Sequence, residues 1–447
     1  MKKLFALLLA LAMVLSLAAC GATEPAPSEP AAEPEAPVAE PEAPVVEEPA
    51  ATGSVYYLNF KPEADEAWQK LAEQYKAETG VEVKVVTAAS GTYSDTLTSN
   101  ISDITIYNIG NLQGLADWDE YALDLSETAL AGELATNDFN LYNANGELKA
   151  MGYCYESYGI IVNVDLLEQA GYTVADITNF ESLKKVADDI HARSAELGFD
   201  AFSAAGLDSS SSWRFSGHLA NVPLYYEFEA NNITEQPATL TGEYLDNFRN
   251  IWDLYITDSA ADPATLSTST GDESKAQFTE GKAVFFQNGS WEYNSLANEN
   301  GMNVQMIPIY CGVEGEEKAG LCSGTENCWA VNAQASEEDI KASLDFLYWV
   351  VTSEAGTTMM SEQFGAIPFK AAPAVTNGFI LNGNALLENG CYSITWAFND
   401  TPNVDSYRAT LVTALTKYSQ DPTDANWEQV VSAYVDGWAI EYSVVHG

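Results

Sequence analysis

Positive charge is what this chain has least of. It carries 19 Lys and Arg against 65 Asp and Glu, a formal net charge of −46 over 447 residues. A field of that sign repels phosphate backbones and anionic headgroups, which excludes nucleic acid and membrane-surface binding through the globular part. Neutral solutes are left as the natural ligands, although one local basic pocket can still hold an anion. Histidine is scarce too: His191, His218 and His446 are the full set. HExxH and CxxC are both absent, so neither a zinc protease helix nor a redox dithiol is expected, and no metal or cofactor. Gly281-Lys282 is followed by Ala283, and position 276 is alanine, so there is no P-loop; a G-x-S-x-G elbow is missing as well. Paired carboxylates serve glycosidases, but among 65 acids chance pairs are expected and carry no signal.

Six cysteines are present: Cys20, Cys154, Cys311, Cys322, Cys328 and Cys391. The spacing Cys322-x5-Cys328 is no metal signature. A disulfide such as Cys322–Cys328 or Cys154–Cys311 and buried free thiols both remain open for an exported protein. Export is the expectation because Lys2 and Lys3 precede an apolar stretch from Leu4 to Leu17, which is followed by Ala18-Ala19-Cys20-Gly21. That stretch is too short to span a bilayer and looks like a bacterial lipoprotein signal. The reading is a signal peptide over 1–19, cleavage before Cys20, and lipid on Cys20, with an ordinary secretory signal as the alternative. Residues 21–52 then hold eight Pro and eight Glu and no aromatic residue. Such a segment cannot bury enough apolar surface to fold. Residues 20–52 are therefore read as lipidated Cys and disordered tether, reaching on the order of 100 Å at about 3.1 Å per residue.

The remaining stretch, rich in Trp, Tyr and Phe, is too long for one ordinary core, and two lobes are expected. Val55 to Phe60 reads as a buried strand. Ala64, Trp68, Leu71, Ala72 and Tyr75 fall at helical spacing before Gly80, and Val81, Val83 and Val85 alternate with polar residues. Strand, helix, strand at this spacing predicts a βαβ unit with parallel strands. Further strands are expected at Ile104–Ile106 and Ile160–Val162. Thr178-x-x-Glu181 and Ser336-x-x-Asp339 read as helix starts. Amphipathic helices are expected over 244–256, 407–418 and 427–438. The alternation of strands and helices predicts an α/β protein.

Several segments, in order, resemble the extracellular solute-binding proteins of sugar ABC transporters, the family that includes the maltose- and raffinose-binding proteins. Tyr158-Gly-Ile-Ile-Val-Asn-Val-Asp-Leu-Leu-Glu-Gln-Ala-Gly171 is similar to the family's strand, Asn, Asp and helix ending in Ala-Gly. Phe278-Thr-Glu-Gly-Lys-Ala-Val-Phe-Phe-Gln-Asn-Gly-Ser-Trp291 resembles its Gly-Lys-Ala strand running into a Gly-x-Trp turn. Ile307-Pro308, Ser323-Gly-Thr-Glu-Asn327, Trp329-Ala-Val-Asn332 and Phe364-Gly-Ala-Ile-Pro368 continue the likeness, which spans roughly 55–440. The stretch between Leu97 and Ile104 is shorter than the family's usual loop. The resemblance implies a two-lobed, periplasmic-binding-protein-like fold (type II), with lobe one over 53–153 plus 308–367 and lobe two over 154–307 plus 368–447. It puts the crossings near 154 and 308, with Cys154 and Cys311 beside the hinge.

A sugar presents apolar C–H faces and a ring of hydroxyls, so its site needs aromatic plates plus carboxylates and amides. The resemblance places a stacking Trp at Trp291 and, in some members, a sugar-binding acid at Glu156; lobe packing and a solvated hinge acid are the plainer readings. Trp213, after a run of serines, is a loop anchor or a sugar plate. Trp396, with Asn399 and Asp400, lies in a late segment where relatives place ligand residues. Glu326 and Asn327 sit in a Gly-Thr-Glu-Asn loop. Asn59 and Lys61, and later Asn108 and Asn111, follow strands whose C-terminal ends are where open α/β sheets bind ligands. Trp68, Trp252, Trp349 and Trp438 sit on helical apolar stripes and read as core. The implied function is a monomeric, non-enzymatic receptor. It is lipid-anchored on the extracellular face of a cell membrane, as in a Gram-positive bacterium, and hands a carbohydrate to ABC permease subunits. A non-sugar solute, a surface ligand sensor and a secreted carbohydrate-active enzyme are the competing readings.

Overall fold

A computed structural model describes residues 53–88, 92–203, 206–209 and 211–447. The expected signal peptide, Cys20 and the tether lie outside the described residues. The first strand, β1 (Ser54–Asn59), the helix Asp65–Thr79 and β2 (Glu82–Thr87) form the expected βαβ unit. The helix turns Trp68, Leu71, Ala72 and Tyr75 inward, while Val83 and Val85 of β2 face the core and their neighbours face solvent. β1 and β2 pair in parallel from Ser54↔Glu82 to Asn59↔Thr87.

The other strands are β3 (Ile106–Asn108), β4 (Leu141–Tyr142), β5 (Leu148–Gly152), β6 (Glu156–Asn163), β7 (Asp200–Phe202), β8 (Ala283–Gly289), β9 (Val304–Ile307), β10 (Ala319–Gly324), β11 (Cys328–Val331) and β12 (Tyr392–Thr395). They divide into two sheets, ordered β2-β1-β3-β11-β5-β4 and β12-β10-β6-β8-β7, with β9 also paired to β6. Each sheet is mixed. In the first, β11 runs antiparallel to β3 and β5; in the second, β6 runs antiparallel to β8, β9 and β10. Helices cover the sheets, giving the two-lobed α/β fold. Separate cores follow the sheets: Trp68, Trp329 and Phe346 centre one, and Tyr158, Phe202, Phe215 and Trp252 another.

Three segments cross between the sheets. Residues 153–155 carry the chain from β5 to β6, and 325–327 carry it back from β10 to β11. A return follows Ala366, which bridges Tyr155, and Phe369, which bridges Leu134. The second crossing corrects the boundary expected near 308. Ala319–Gly324 belongs to the second sheet because it pairs with both β6 and β12. The same fact separates the cysteines. Cys322 is on β10 and Cys328 on β11, in different sheets, while Cys154 and Cys311 sit in different cores. All five described cysteines are free thiols, and all but Cys391 are buried. Cys311 is therefore not beside a crossing.

Two smaller differences are instructive. The helix Phe180–Ala192 is capped by Asn179 with Ser182 reciprocating, one residue later than the Thr178/Glu181 expectation, since Asn is at least as good an N-cap. Trp68, Trp252 and Trp438 are fully buried, but Trp349 is half-buried, and its indole N–H donates to Glu78 at 3.0 Å near the surface.

Candidate functional site between the lobes

A cleft of about 1640 Å³ opens between the sheets. Its floor on the first-sheet side is the C-terminal end of β1 and β3, where strand ends leave side chains facing outward. Lys61 follows β1. Its backbone is clamped by Asn59, whose Oδ1 accepts from Lys61 N at 3.1 Å and whose Nδ2 donates to Lys61 O at 2.7 Å. The Lys61 ammonium then reaches Glu156 at the start of β6, donating to its two carboxylate oxygens at 2.9 and 3.1 Å. Asn327, on the second crossing, donates to the same carboxylate at 2.8 Å. Burial alone would lower the pKa of Lys61; the Glu156 carboxylate outweighs it, and the net shift is upward. Lys61 therefore stays protonated, and 13% of its side chain and 3% of that of Glu156 are exposed.

The opposite wall is aromatic. β8 ends at Gly289, and the ring of Trp291 folds back over that residue; a Cβ at 289 would lie 2.1 Å from the ring, which is why a glycine precedes this tryptophan by two positions. Trp396 lies against Gly324 in the same way, with a Cβ there falling 2.8 Å from its ring. Trp213 precedes a π-helical turn, Arg214–Leu219, a conformation that is rare and concentrated at functional sites. His218 on that turn stacks on Tyr158 at 3.9 Å and 3°. Around it stand Trp213 at 4.7 Å, Trp291 at 5.5 Å, Phe398 at 5.9 Å and Trp396 at 6.2 Å. Burial, followed by the fields of Arg408, Arg214 and Lys61, holds the pKa of His218 well below the usual imidazole value, so the ring is neutral. Lys61 bridges the walls, its ammonium 5.6 Å from the centroid of Trp291.

Trp291, Trp213, Trp396, Glu156, Glu326 and Asn108 all line this one cleft. Asn108 Nδ2 donates to the Glu326 carbonyl at 2.9 Å, and its buried Oδ1 has no partner among the described residues. Burial raises the pKa of the Glu326 carboxyl, and Arg408 and Lys61 oppose that rise. Asn59 and Asn327 stand behind the lining and position Lys61 and Glu156. Asp400 does not line the cleft either; its carbonyl accepts from Gln236 at 2.7 Å at the edge of the second lobe. Asn111 lines the cleft and caps the helix Leu112–Trp118 by accepting from Gly114 N at 2.7 Å. Sequence reasoning missed Arg214, His218 and Arg408 as cleft residues. The available signal was the adjacency of Arg214 to Trp213 and the scarcity of arginine, of which there are four. Among the described residues no cluster of His, Cys, Asp and Glu is arranged to hold a metal ion.

Aromatic rings opposite an ion pair and amides offer both apolar faces and hydrogen-bonding groups to whatever enters the cleft. The sequence matches the model of a family described as bacterial extracellular solute-binding protein over residues 70–380. The chain belongs to that family. No curated protein sequence matches it. Among solved structures, this solute-binding protein shares its fold with RafE in complex with raffinose at a TM-score of 0.68 and 17% identity, covering 88% of this chain and all of that one. It likewise resembles a chitin oligosaccharide binding protein, at 0.68 and 16%, covering 89% and 100%. A solute-binding protein from Agrobacterium radiobacter K84 in complex with ribitol matches at 0.64 and 16%, covering 88% and 100%. At these identities the likeness is one of fold. Family and neighbours alike are binding proteins.

Proposed function

We propose that this solute-binding protein captures a carbohydrate, an oligosaccharide in preference to a single sugar, between its lobes and delivers it to an ABC permease. The observation that carries this reading is the convergence of Trp213, Trp291 and Trp396 on one wall, facing Lys61 and Asn108 on the other, with Glu156 at the base between them. Indole faces suit the C–H faces of a pyranose, and the carboxylate and amides suit its hydroxyls. The groove that contains the cleft, about 1640 Å³ with its extension over the first lobe past Trp349, has room for more than one sugar unit. Bound ligand shifts the lobes toward closure, and the closed form presents the permease with a surface the open form lacks. Cys20 is the proposed lipid attachment point, and the tether 21–52 keeps the receptor beside the permease on the extracellular face. The sugars and polyol bound by structural neighbours support a polyhydroxylated solute.

Calorimetry of the purified protein against a panel of mono- and oligosaccharides tests this. Micromolar affinity, about 8 kcal/mol, is expected for at least one member. Trp291→Ala is expected to abolish ligand-induced tryptophan quenching with little change in melting temperature. Response to a peptide or polyamine but to no sugar would sink the carbohydrate reading. For the anchor, Cys20→Ser is expected to release the protein into the medium and to end its labelling by palmitate.

A further inference from the structure

The chain has four arginines, and they divide into two kinds. Arg193 and Arg249 form ion pairs with Asp189 and Asp424 on the surface. Arg214 and Arg408 both line the cleft, and among the described residues neither has a carboxylate within ion-pair distance. Arg214 is 7% exposed, its guanidinium lies 4.5 Å from the centroid of Trp213, and among the described residues its buried Nε has no hydrogen-bond partner. Arg408, half-buried on the helix Val404–Gln420, lays its guanidinium along Gly217 in the π-helical turn. A Cβ at 217 would meet Nη2 at 2.9 Å, and Phe398 flanks the guanidinium on another side at 5.4 Å. His218 stands next to Gly217 in the same turn, and its buried Nδ1 has no partner among the described residues. Neither guanidinium is closed off by a contact ion pair, although the charges of Glu292, Asp208 and Asp272 act on Arg214 from further away. A desolvated charge without a counter-ion costs stability.

The acids of the cleft do not supply that counter-ion. Glu156 is committed to Lys61. Glu292 is committed to Lys275 at 2.8 Å and accepts from Asn288 at 3.1 Å. Glu326 is near Arg408 but outside contact; its enclosure raises the carboxyl pKa, and Arg408 and Lys61 oppose the rise. Asp405 is exposed at the rim. Asp208 and Asp272 act on Arg214 without forming a contact ion pair, so both guanidinia keep donor groups open toward the cleft.

Resting on the carbohydrate reading, we infer that the solute is an acidic sugar, one whose carboxylate docks at the π-helical turn between Arg214 and Arg408 while its ring stacks on the tryptophan wall. Planar guanidinia match a carboxylate two bonds at a time, which a sugar hydroxyl cannot reproduce.

The test is calorimetry of the purified protein with glucuronate, galacturonate and their short oligomers, each beside the neutral sugar of the same configuration and linkage. A charge-assisted pair in place of a neutral one predicts an acidic ligand about tenfold tighter than its neutral counterpart. The advantage is expected to shrink as salt is raised. Arg408→Gln is expected to bring the acid-over-neutral ratio toward one, with Arg408→Lys recovering part of it. Gly217→Ala, which displaces the Arg408 guanidinium without removing its charge, is expected to lower the same ratio and serves as the second variant. Neutral sugars binding as tightly as acidic ones, or an acid preference untouched by Arg408→Gln, overturns the inference and leaves the carbohydrate reading standing. No heat from either class overturns both.

Discussion

Glu156→Gln keeps the shape of the side chain and removes the charge that faces Lys61 across the base of the cleft. The wild-type carboxylate accepts from the ammonium at 2.9 and 3.1 Å and from Asn327 at 2.8 Å. Removing one member of a buried pair costs about 3–5 kcal/mol, because the other charge stays desolvated. Lys61 keeps some contact with water and the amide oxygen still accepts one bond, so the lower end, about 3 kcal/mol, applies. Unfolding entropy near 2.1 cal/mol/K per residue, over roughly 395 residues, converts this to a fall of about 4 °C in melting temperature. The sign with pH follows from Lys61. Its pKa rises on folding from the ordinary 10.5, so its contribution is fully present below that value and is lost only above it. The deficit of the variant at pH 6–9 is therefore flat as far as Lys61 is concerned. Differential scanning calorimetry measures it, with Lys61→Met and the double variant completing a cycle. Loss of both charges is expected to be milder than the sum of the single changes. A Glu156→Gln melting temperature within 1 °C of wild type would refute the view that this pair is desolvated and structural.

Three further outcomes are expected. His218 is held neutral by burial and by Arg408, Arg214 and Lys61, so the unfolded chain takes up the proton first; stability conferred by the neutral ring is complete above 6.5 and falls away below it. Urea melts at pH 7.5 and 5.5 should show the advantage of wild type over His218→Leu shrinking by about 1.4 kcal/mol, and no change between the two would refute it. Thiol titration of protein lacking residues 1–52 should label Cys391 alone in the native state and all five cysteines after denaturation; fewer than five in denaturant would reveal a bridge. Gly289→Ala forces the Trp291 ring off its seat without backbone strain, since φ there is −124°. It is expected to cost about 1–3 kcal/mol, read as weaker ligand affinity, and unchanged affinity would remove Trp291 from the site.

What the sequence discloses and what it hides divides along distance in the chain. The βαβ unit was legible because periodicity over 55–85 is local and each element declares its own buried face. The Gly-Ser-Trp turn was legible through its resemblance to the family's Gly-x-Trp turn, and the structure adds the reason for the glycine: it makes room for a ring two residues away. The crossing at 325–327 was not, because Ala319–Gly324 is a short apolar run that fits either sheet, and only its pairing with β6 and β12 assigns it. The disulfide question closed on that same assignment. Arg214, His218 and Arg408 were invisible as a group because the last joins the others from 190 residues further along, on a helix that reads as an ordinary amphipathic one.

Composition set an expectation of neutral ligands, and the cleft favours an acidic one; the two are reconciled by range. At physiological ionic strength the field of an exposed charge is screened over about 8 Å, so the many surface carboxylates reach the turn at 214–219 only weakly. Arg214 and Arg408 act there at contact distance and in a poorly solvated wall, where a charge pair is worth several times its value in water. The global −46 then works as a filter on approach, disfavouring polyanions such as nucleic acid, whose many charges each meet the outer field. A sugar with one carboxylate pays that repulsion once and meets two guanidinia. The same arithmetic predicts a limit: oligomers with a carboxylate on every unit should gain less from each added unit than neutral extensions do, because Glu299 and Asp117 are among the acids that line the cleft.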